Sequence, residues 1–364
     1  MFKKMIVLLS ALAAVSCGNW DSDDYTISQE RYPLTALAVR VGDSYYHAKI
    51  DQDSRTAVIG AISNASTISG VEFMLLNEDA VITPDPRSFI GKWKKEQTVV
   101  VNAGGKDTGY TICLPNLKEE TQGGYIFFDD FDVDGQPDPA KWRLCPKGSS
   151  DWNNEMSESY DQAYVKNGNL VLVAEKVDGE YKAGGIKTEG LFGFTFGKVE
   201  CRARITGYPD GAFPAIWMMP QKYAYKGWPS CGEIDIMEHI RQESWIHHTI
   251  HTHYTYDLHM TSEHTNTTQI ECDFSDYTVY ACEWTPEEIT FYVNGIKSFT
   301  YPNLHLADEA EMKQWPFNEQ SEFYLILNMG LGNQGTWAGP VDDANLPAVM
   351  EIDWIRVTGY EEGK

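Results

Sequence analysis

The stretch Gly232-Glu233-Ile234-Asp235-Ile236-Met237-Glu238 puts three carboxylates into six residues of an otherwise apolar segment. Trp217, Met218, Met219 and Trp228 precede it, and Ile240 and Trp245 follow. A charged side chain facing such surroundings is costly unless it is paired or put to use. Side chains alternate along a strand, so Glu233 and Asp235 share one face while Ile234 and Ile236 fill the other. Strict alternation turns Glu238 to the wrong side. One extra residue, a β-bulge at Ile236-Met237, restores the phase and brings Glu238 back beside its partners.

Four effective strand steps then separate the two glutamate Cα atoms by about 13 Å. Side chains leaning toward each other close the carboxyl gap to ~5 Å, the separation at which one carboxylate attacks a sugar and the other acts as acid, then base. Three acids this close cannot all ionise, so one stays protonated near neutral pH, as a general acid must. Asp235 is expected to hydrogen-bond a neighbouring carboxyl and to help separate their pKa values. The competing view, an exposed edge strand with solvated acids, conflicts with the apolar company.

These residues resemble the signature of glycoside hydrolase family 16, in the bulged Glu-x-Asp-x-x-Glu form of its laminarinase-like members. The resemblance covers roughly residues 124–358. Phe128-Asp129-Asp130-Phe131 resembles the opening strand of the family and Asn153-Asn154-Glu155 a cleft segment. Gly197 to Arg204 and Phe213-Pro214-Ala215-Ile216-Trp217-Met218 are similar to two further strands. Tyr280 to Pro286, Phe291 to Gly295 and Glu351 to Val357 match later ones in the same order.

Carried over residue by residue, the resemblance implies Glu233 as nucleophile, Asp235 as its helper and Glu238 as acid/base. It implies Asn154, Trp217, Trp228, His251 and Trp337 as substrate-binding residues. Trp217 and Trp228 are the expected stacking surfaces, since the C–H face of a pyranose packs on an indole. His251 is the second histidine of a run that resembles His-Gly-Thr-Val-His and lies near the catalytic carboxylates. A zinc site in the run His247, His248, His251 and His253 is disfavoured: His248 and His251 take opposite faces, and no carboxylate stands at ligand spacing beside them. Members often hold a structural calcium, and Asp353 is the matching position for a ligand. No cofactor is required for catalysis.

The sequence departs from the family pattern at Phe213 in place of tryptophan, at Thr252 where laminarinases carry tryptophan, and in the loops Tyr254–Thr268 and Gly330–Trp337. All of these flank subsites rather than the catalytic strand. They leave hydrolysis in place and put the sugar in question. The expected activity is a retaining endo-β-glycanase acting on a β-1,3- or mixed β-1,3/1,4-glucan. The alternatives are an endo-β-galactosidase on mucin-type O-glycans or poly-lactosamine, and a non-catalytic glycan-binding surface lipoprotein. The last predicts loss of a catalytic carboxylate, and all three are present.

The chain has 364 residues with 29 basic and 53 acidic side chains, a formal net charge of −24. Nucleic acid and heavily sulfated polymers are repelled by such a field, which favours a neutral glycan substrate. Lys3 and Lys4 precede the apolar run Met5–Val15, too short to span a bilayer, and Ala14-Val15-Ser16-Cys17 follows. A small residue before Cys17 resembles a bacterial lipobox. Residues 1–17 are thus read as a lipoprotein signal peptide, with Cys17 lipidated. By analogy with Bacteroides-like lipoproteins, the mature chain is expected on the outer face of the outer membrane, with the periplasm as the alternative, and as a monomer. The six remaining cysteines form no known disulfide framework and read mainly as small core residues.

The fold class follows from many short alternating runs without helical period: all-β. Residues 25–117 read as a small immunoglobulin-like β-sandwich of about six strands, a spacer or a glycan-binding module in which Trp93 and Tyr110 are candidate platform residues. Lys118–Gly123 is a polar linker. Residues 124–360 read as a jelly-roll β-sandwich with long loops, and 305–317 as the one short helical piece.

Overall fold

The structure is a computed structural model that describes residues 32–42, 44–62, 68–76, 78–117, 125–262, 264–333 and 335–361. Cys17, the signal segment and the expected linker lie outside the described residues. The chain divides into two units between Thr121 and Gln122.

The N-terminal unit is all-β. Ser44–His47, Leu34–Val41 and Ile68–Leu75 form an antiparallel sheet of three strands. Lys49–Asp51, Thr56–Val58, Lys106–Cys113, Glu96–Ala103 and Val81–Thr83 form a second of five, in that order. Thr56–Val58 runs parallel to Lys106–Cys113; the other pairs are antiparallel. The hairpin Glu96–Ala103/Lys106–Cys113 closes on Gly104-Gly105, both at positive φ, as a tight two-residue turn of its hand requires. The alternating residues of both sheets, among them Leu37, Val39, Val99, Val101 and Ile112, meet in one core. Trp93 and Tyr110 belong to that core: both are buried, and the Tyr110 hydroxyl donates to Oε1 of Gln52 at 2.9 Å. They form no binding platform, contrary to the alternative the sequence left open. The alternation that makes a strand does not by itself say which face is covered.

The C-terminal unit is one large sheet curled on itself into a β-sandwich. From one edge its strands are Thr267–Glu271, Trp245–His251, Glu233–Glu238, Ala212–Lys222, Glu322–Leu331 and Glu180–Lys187. The path continues through Asn169–Val177, Ala348–Gly359, Gly197–Gly207, Thr278–Trp284, Glu288–Val293 and Ile296–Pro302. The two halves pack face to face through a common apolar core. His248 shows the contact between layers: its ring stacks on Phe291 at 4.9 Å, Nδ1 meets the carbonyl of Ile236 at 2.6 Å, and Nε2 meets Oγ of Ser298 at 3.0 Å.

Glu180–Lys187 is a strand that the sequence pattern does not announce, because it holds one β-branched residue, Ile186, and the pair Gly184-Gly185. Close packing demands those glycines. A Cβ on Gly184 would lie 1.8 Å from the carbonyl oxygen of Gln162, and one on Gly185 3.1 Å from Cβ of Asn328. Within 305–317 only Glu309–Met312 is α-helical. Among the described residues the six cysteines are free thiols; Cys145, Cys201, Cys231 and Cys282 are buried, and Cys113 and Cys272 partly so.

Candidate active site

Glu233–Glu238 lies between Ala212–Lys222 and Trp245–His251, fully inside the sheet. On one side Trp217 faces Asp235 and Ile216 faces Met237, so Ile236 has no partner of its own. On the other, Asp235 faces Thr249 and Glu238 faces His247, three residues spanning two. This is the β-bulge that the spacing of the acids required. Ile234, Ile236 and Met237 are fully buried in the core, while Glu233 and Glu238 are partly open on the other face. Gly232 starts the strand at φ +85°, where a Cβ would meet the Phe317 ring at 2.7 Å. No other residue fits at that entry.

Around the acids, Nε1 of Trp228 donates to Oε2 of Glu233 at 2.9 Å. Nε2 of His251 lies 3.5 Å from Oδ2 of Asp235 and 3.9 Å from Oε1 of Glu233. Burial dominates the ionisation of all three carboxyls. It pushes Glu233 up to about 7, with the Trp228 hydrogen bond pulling down and the charge of Asp151 pushing up. It pushes Glu238 up to about 8, helped by the charge of Glu233 and opposed by a hydrogen bond from Thr249. Asp235 is held well above the usual carboxylate range by burial and by its two neighbours. The Trp228 N–H favours the charged form of Glu233, while the charge of Glu233 favours the protonated form of Glu238. Burial lowers His251 to about 4, so its ring is neutral near pH 7.

Glu233, Asp235 and His251 bring their ligand atoms within 4.8 Å of one another. The carboxylates missing beside the histidines in sequence thus come from across the strand pair, which corrects the spacing argument. Nδ1 of His251 is buried without a partner. Ligating histidines instead anchor their second nitrogen on an acceptor. The donor set fits a proton-handling cluster better than a resident metal.

The expected binding residues separate into open and covered ones. Trp228 is 47% exposed and Trp337 41%; Trp337 packs edge-on against Phe213 and His247, near the Glu238 end of the strand. Trp217 is a correction. It shares the face of Asp235 but is only 6% exposed, with Nε1 bonded to Oδ1 of Asn328 at 2.7 Å and Trp152 edge-on at 4.9 Å. It supports the cleft from beneath and offers no open stacking face. Asn154 sits in the turn after Trp152, with Oδ1 buried and without a partner. Asp353 is also corrected: its carboxylate is buried against Nη1 of Arg202 at 2.5 Å. A buried carboxylate already paired with a guanidinium is a poor ligand for calcium, which needs several oxygen donors.

Four residues of the site were missed in sequence. Asp151 acts on both glutamates through its charge. Trp152 and Asn328 hold Trp217. Tyr256 packs on Trp228 at 4.5 Å. Only the neighbouring Asn153-Asn154-Glu155 pointed toward the first two.

Residues 150–356 match the family "Glycosyl hydrolases family 16". The chain belongs to glycoside hydrolase family 16. Residues 1–131 match a domain of unknown function, DUF4971. The family 16 domain is similar to proteins of several specificities. A keratan-sulfate endo-1,4-beta-galactosidase of Sphingobacterium multivorum is 40% identical over 286 residues, 77% of this chain and 62% of that protein. A beta-glucanase of Rhodothermus marinus is 36% identical over 251 residues, 65% of this chain and 85% of that protein. A solved structure, described with endo-acting O-glycanases of the human gut microbiota that initiate mucin breakdown, aligns with TM-score 0.59 and 35% identity. That alignment covers 65% of this chain and all of the other. As a member of family 16, the chain is an endo-acting β-glycanase with a polysaccharide substrate.

Proposed function

We propose that this family 16 enzyme is a retaining endo-β-galactosidase that cuts internal bonds of unsulfated, galactose-containing glycans of the poly-lactosamine or mucin O-glycan kind. In the first step the Glu233 carboxylate attacks the anomeric carbon while Glu238 gives its proton to the departing glycosidic oxygen. In the second, Glu238 takes a proton from water, whose oxygen displaces Glu233 with net retention. Asp235 and neutral His251 lie beside the nucleophile and stabilise its changing charge.

The observation that carries the choice of sugar is the wall beside Glu233. Thr252, where laminarinase-like members carry a tryptophan, is fully buried and caps a turn. Trp228 and Tyr256 supply the aromatic surface instead. Galactose has its axial O4 on one face and C–H groups on the other, an apolar face suited to an exposed indole. The 40% identity to a keratan-sulfate endo-β-galactosidase supports this reading. The net charge of −24 favours unsulfated chains over sulfated ones.

A β-1,3- or mixed-linkage glucan is the second reading, favoured by the 36% identity to a beta-glucanase. Product analysis of the purified protein on poly-lactosamine, mucin O-glycans, laminarin and mixed-linkage β-glucan separates the two. Galactose-terminated oligosaccharides from the first pair alone support the proposal. Gluco-oligosaccharides from laminarin at equal or greater rate overturn it.

We read the N-terminal β domain as an immunoglobulin-like spacer, supported by the burial of its two candidate platform aromatics. Anchoring through a lipid on Cys17 at the outer membrane surface goes with this reading. Incorporation of labelled palmitate, lost in Cys17→Ala, tests it.

A further inference from the structure

We propose that Tyr256 is a positioning residue: it clamps the Trp228 indole against the Glu233 carboxylate and completes the aromatic wall of the sugar site. The inference rests on Glu233 being the nucleophile.

The turn that presents Tyr256 is rigid. Thr252 and Thr255 cap each other, Oγ1 of Thr252 accepting from the Thr255 amide at 3.2 Å and Oγ1 of Thr255 from the Thr252 amide at 3.0 Å. The amide of Tyr256 donates to the carbonyl of Thr252 at 2.9 Å, and that of Leu258 to the carbonyl of His253 at 3.1 Å. His253 and Asp257 close the turn with a 2.6 Å contact. Thr255 and Thr252 are buried, so the turn is rooted in the domain. Tyr256 nevertheless stands 48% exposed. Tyr256 and the equally exposed Trp228 form one open aromatic patch beside the acids, which points to a role in binding.

Tyr256 faces Trp228. Their ring centroids are 4.5 Å apart at 64°, and each lies 5.9 Å from the His251 ring. Trp228 follows Gly227, which adopts φ +83°, and is itself half exposed. Three contacts thus hold its orientation: the bond to Glu233, the close ring of Tyr256 and the more distant ring of His251. An edge-to-face aromatic pair shifts a rotamer population roughly 3- to 10-fold. Loss of Tyr256 releases Trp228, removes the N–H that favours the charged carboxylate, and opens the wall. The other ionisable groups near Glu233, namely Asp235, His251, Asp151, Glu238, Cys231 and Tyr324, remain in place.

The test compares Tyr256→Ala, Tyr256→Phe, Trp228→Ala and the double alanine variant through pH profiles of kcat/KM, with Glu233→Gln as control. For Tyr256→Ala we expect an acid limb displaced upward, a 3- to 10-fold loss of kcat/KM below it, and a wild-type Tm. Tyr256→Phe should restore the limb, because the ring alone makes the contact. The double variant should lose no more than Trp228→Ala alone. An unmoved acid limb in Tyr256→Ala, or losses that simply multiply in the double variant, overturns the clamp. Full turnover by Glu233→Gln overturns the nucleophile assignment instead, and is thereby distinguished.

Discussion

Nε1 of Trp228 donates to Oε2 of Glu233 at 2.9 Å, from a side chain five residues upstream of the acid it serves. The bond is made best to the charged carboxylate, so it opposes the upward pull of burial on Glu233. Trp228→Phe keeps a flat apolar ring and deletes the donor. The Glu233 pKa should then rise by about one to two units, given that hydrogen bonds to charged groups contribute about 1.5–3 kcal/mol. The acid limb of kcat/KM should move up with it, while activity on the plateau falls less. A pH-rate profile of the variant checks this, and an unchanged limb would show that the bond is absent in solution.

Glu233 and Glu238 share a face, yet their roles differ in what a substitution leaves behind. Glu233→Gln removes the attacking oxygen and should cost at least about 10⁴-fold in kcat. Glu238→Gln removes a proton donor, a loss of about 10²–10⁴-fold on a natural glycan. An aryl leaving group needs no protonation, so Glu238→Gln should recover most of its bond-breaking rate on a nitrophenyl glycoside, and Glu233→Gln should not. Steady-state and burst kinetics on both substrate types decide the assignment.

The same burial makes stability depend on pH. Glu233 and Glu238 rise from about 4.5 to about 7 and about 8 on folding, so the folded state holds protons that the unfolded state releases. Their unfavourable effect is absent below about pH 4.5, grows as pH rises from there toward 7 and 8, and levels off above those values, because across that window only the unfolded chain has released the protons. Glu238→Gln stays neutral and should be more stable than wild type at pH 8, with little difference at pH 5. Each kcal/mol recovered is worth about 2–4 °C in Tm for a domain of this size. Thermal melts at the two pH values give the difference directly.

The strand, its bulge and its three acids were legible because period-two alternation has one defect there, and that defect is written in the spacing of Glu233, Asp235 and Glu238. The roles of isolated aromatics were not. Trp93, Tyr110 and Trp217 look like Trp228 in sequence, but the first three are buried and only the last is open. Tyr256 sits in a single π-helical turn, His253–Asp257, and Asp151 in a turn, both too short for a periodic pattern. Gly184-Gly185 hides a strand for a related reason, since the carbonyl that demands a glycine belongs to Gln162.

Asp353 illustrates the same limit and carries a last prediction. Sequence position suggested a calcium ligand, while the structure buries its carboxylate against Arg202, whose guanidinium also lies 4.2 Å from the Tyr277 ring. Removing one partner of a buried pair leaves the other charge uncompensated, at a cost of about 3–5 kcal/mol. Asp353→Ala should therefore lower Tm by about 6–20 °C. Replacing Asp353 and Arg202 together by apolar residues should recover much of that loss, as no charge is then stranded. Because the arginine already supplies the positive charge, EDTA should leave the wild-type melting temperature within about 1 °C of its value and calcium should not raise it. A calcium-dependent rise of several degrees, abolished in Asp353→Ala, would show instead that the pair opens to admit the ion.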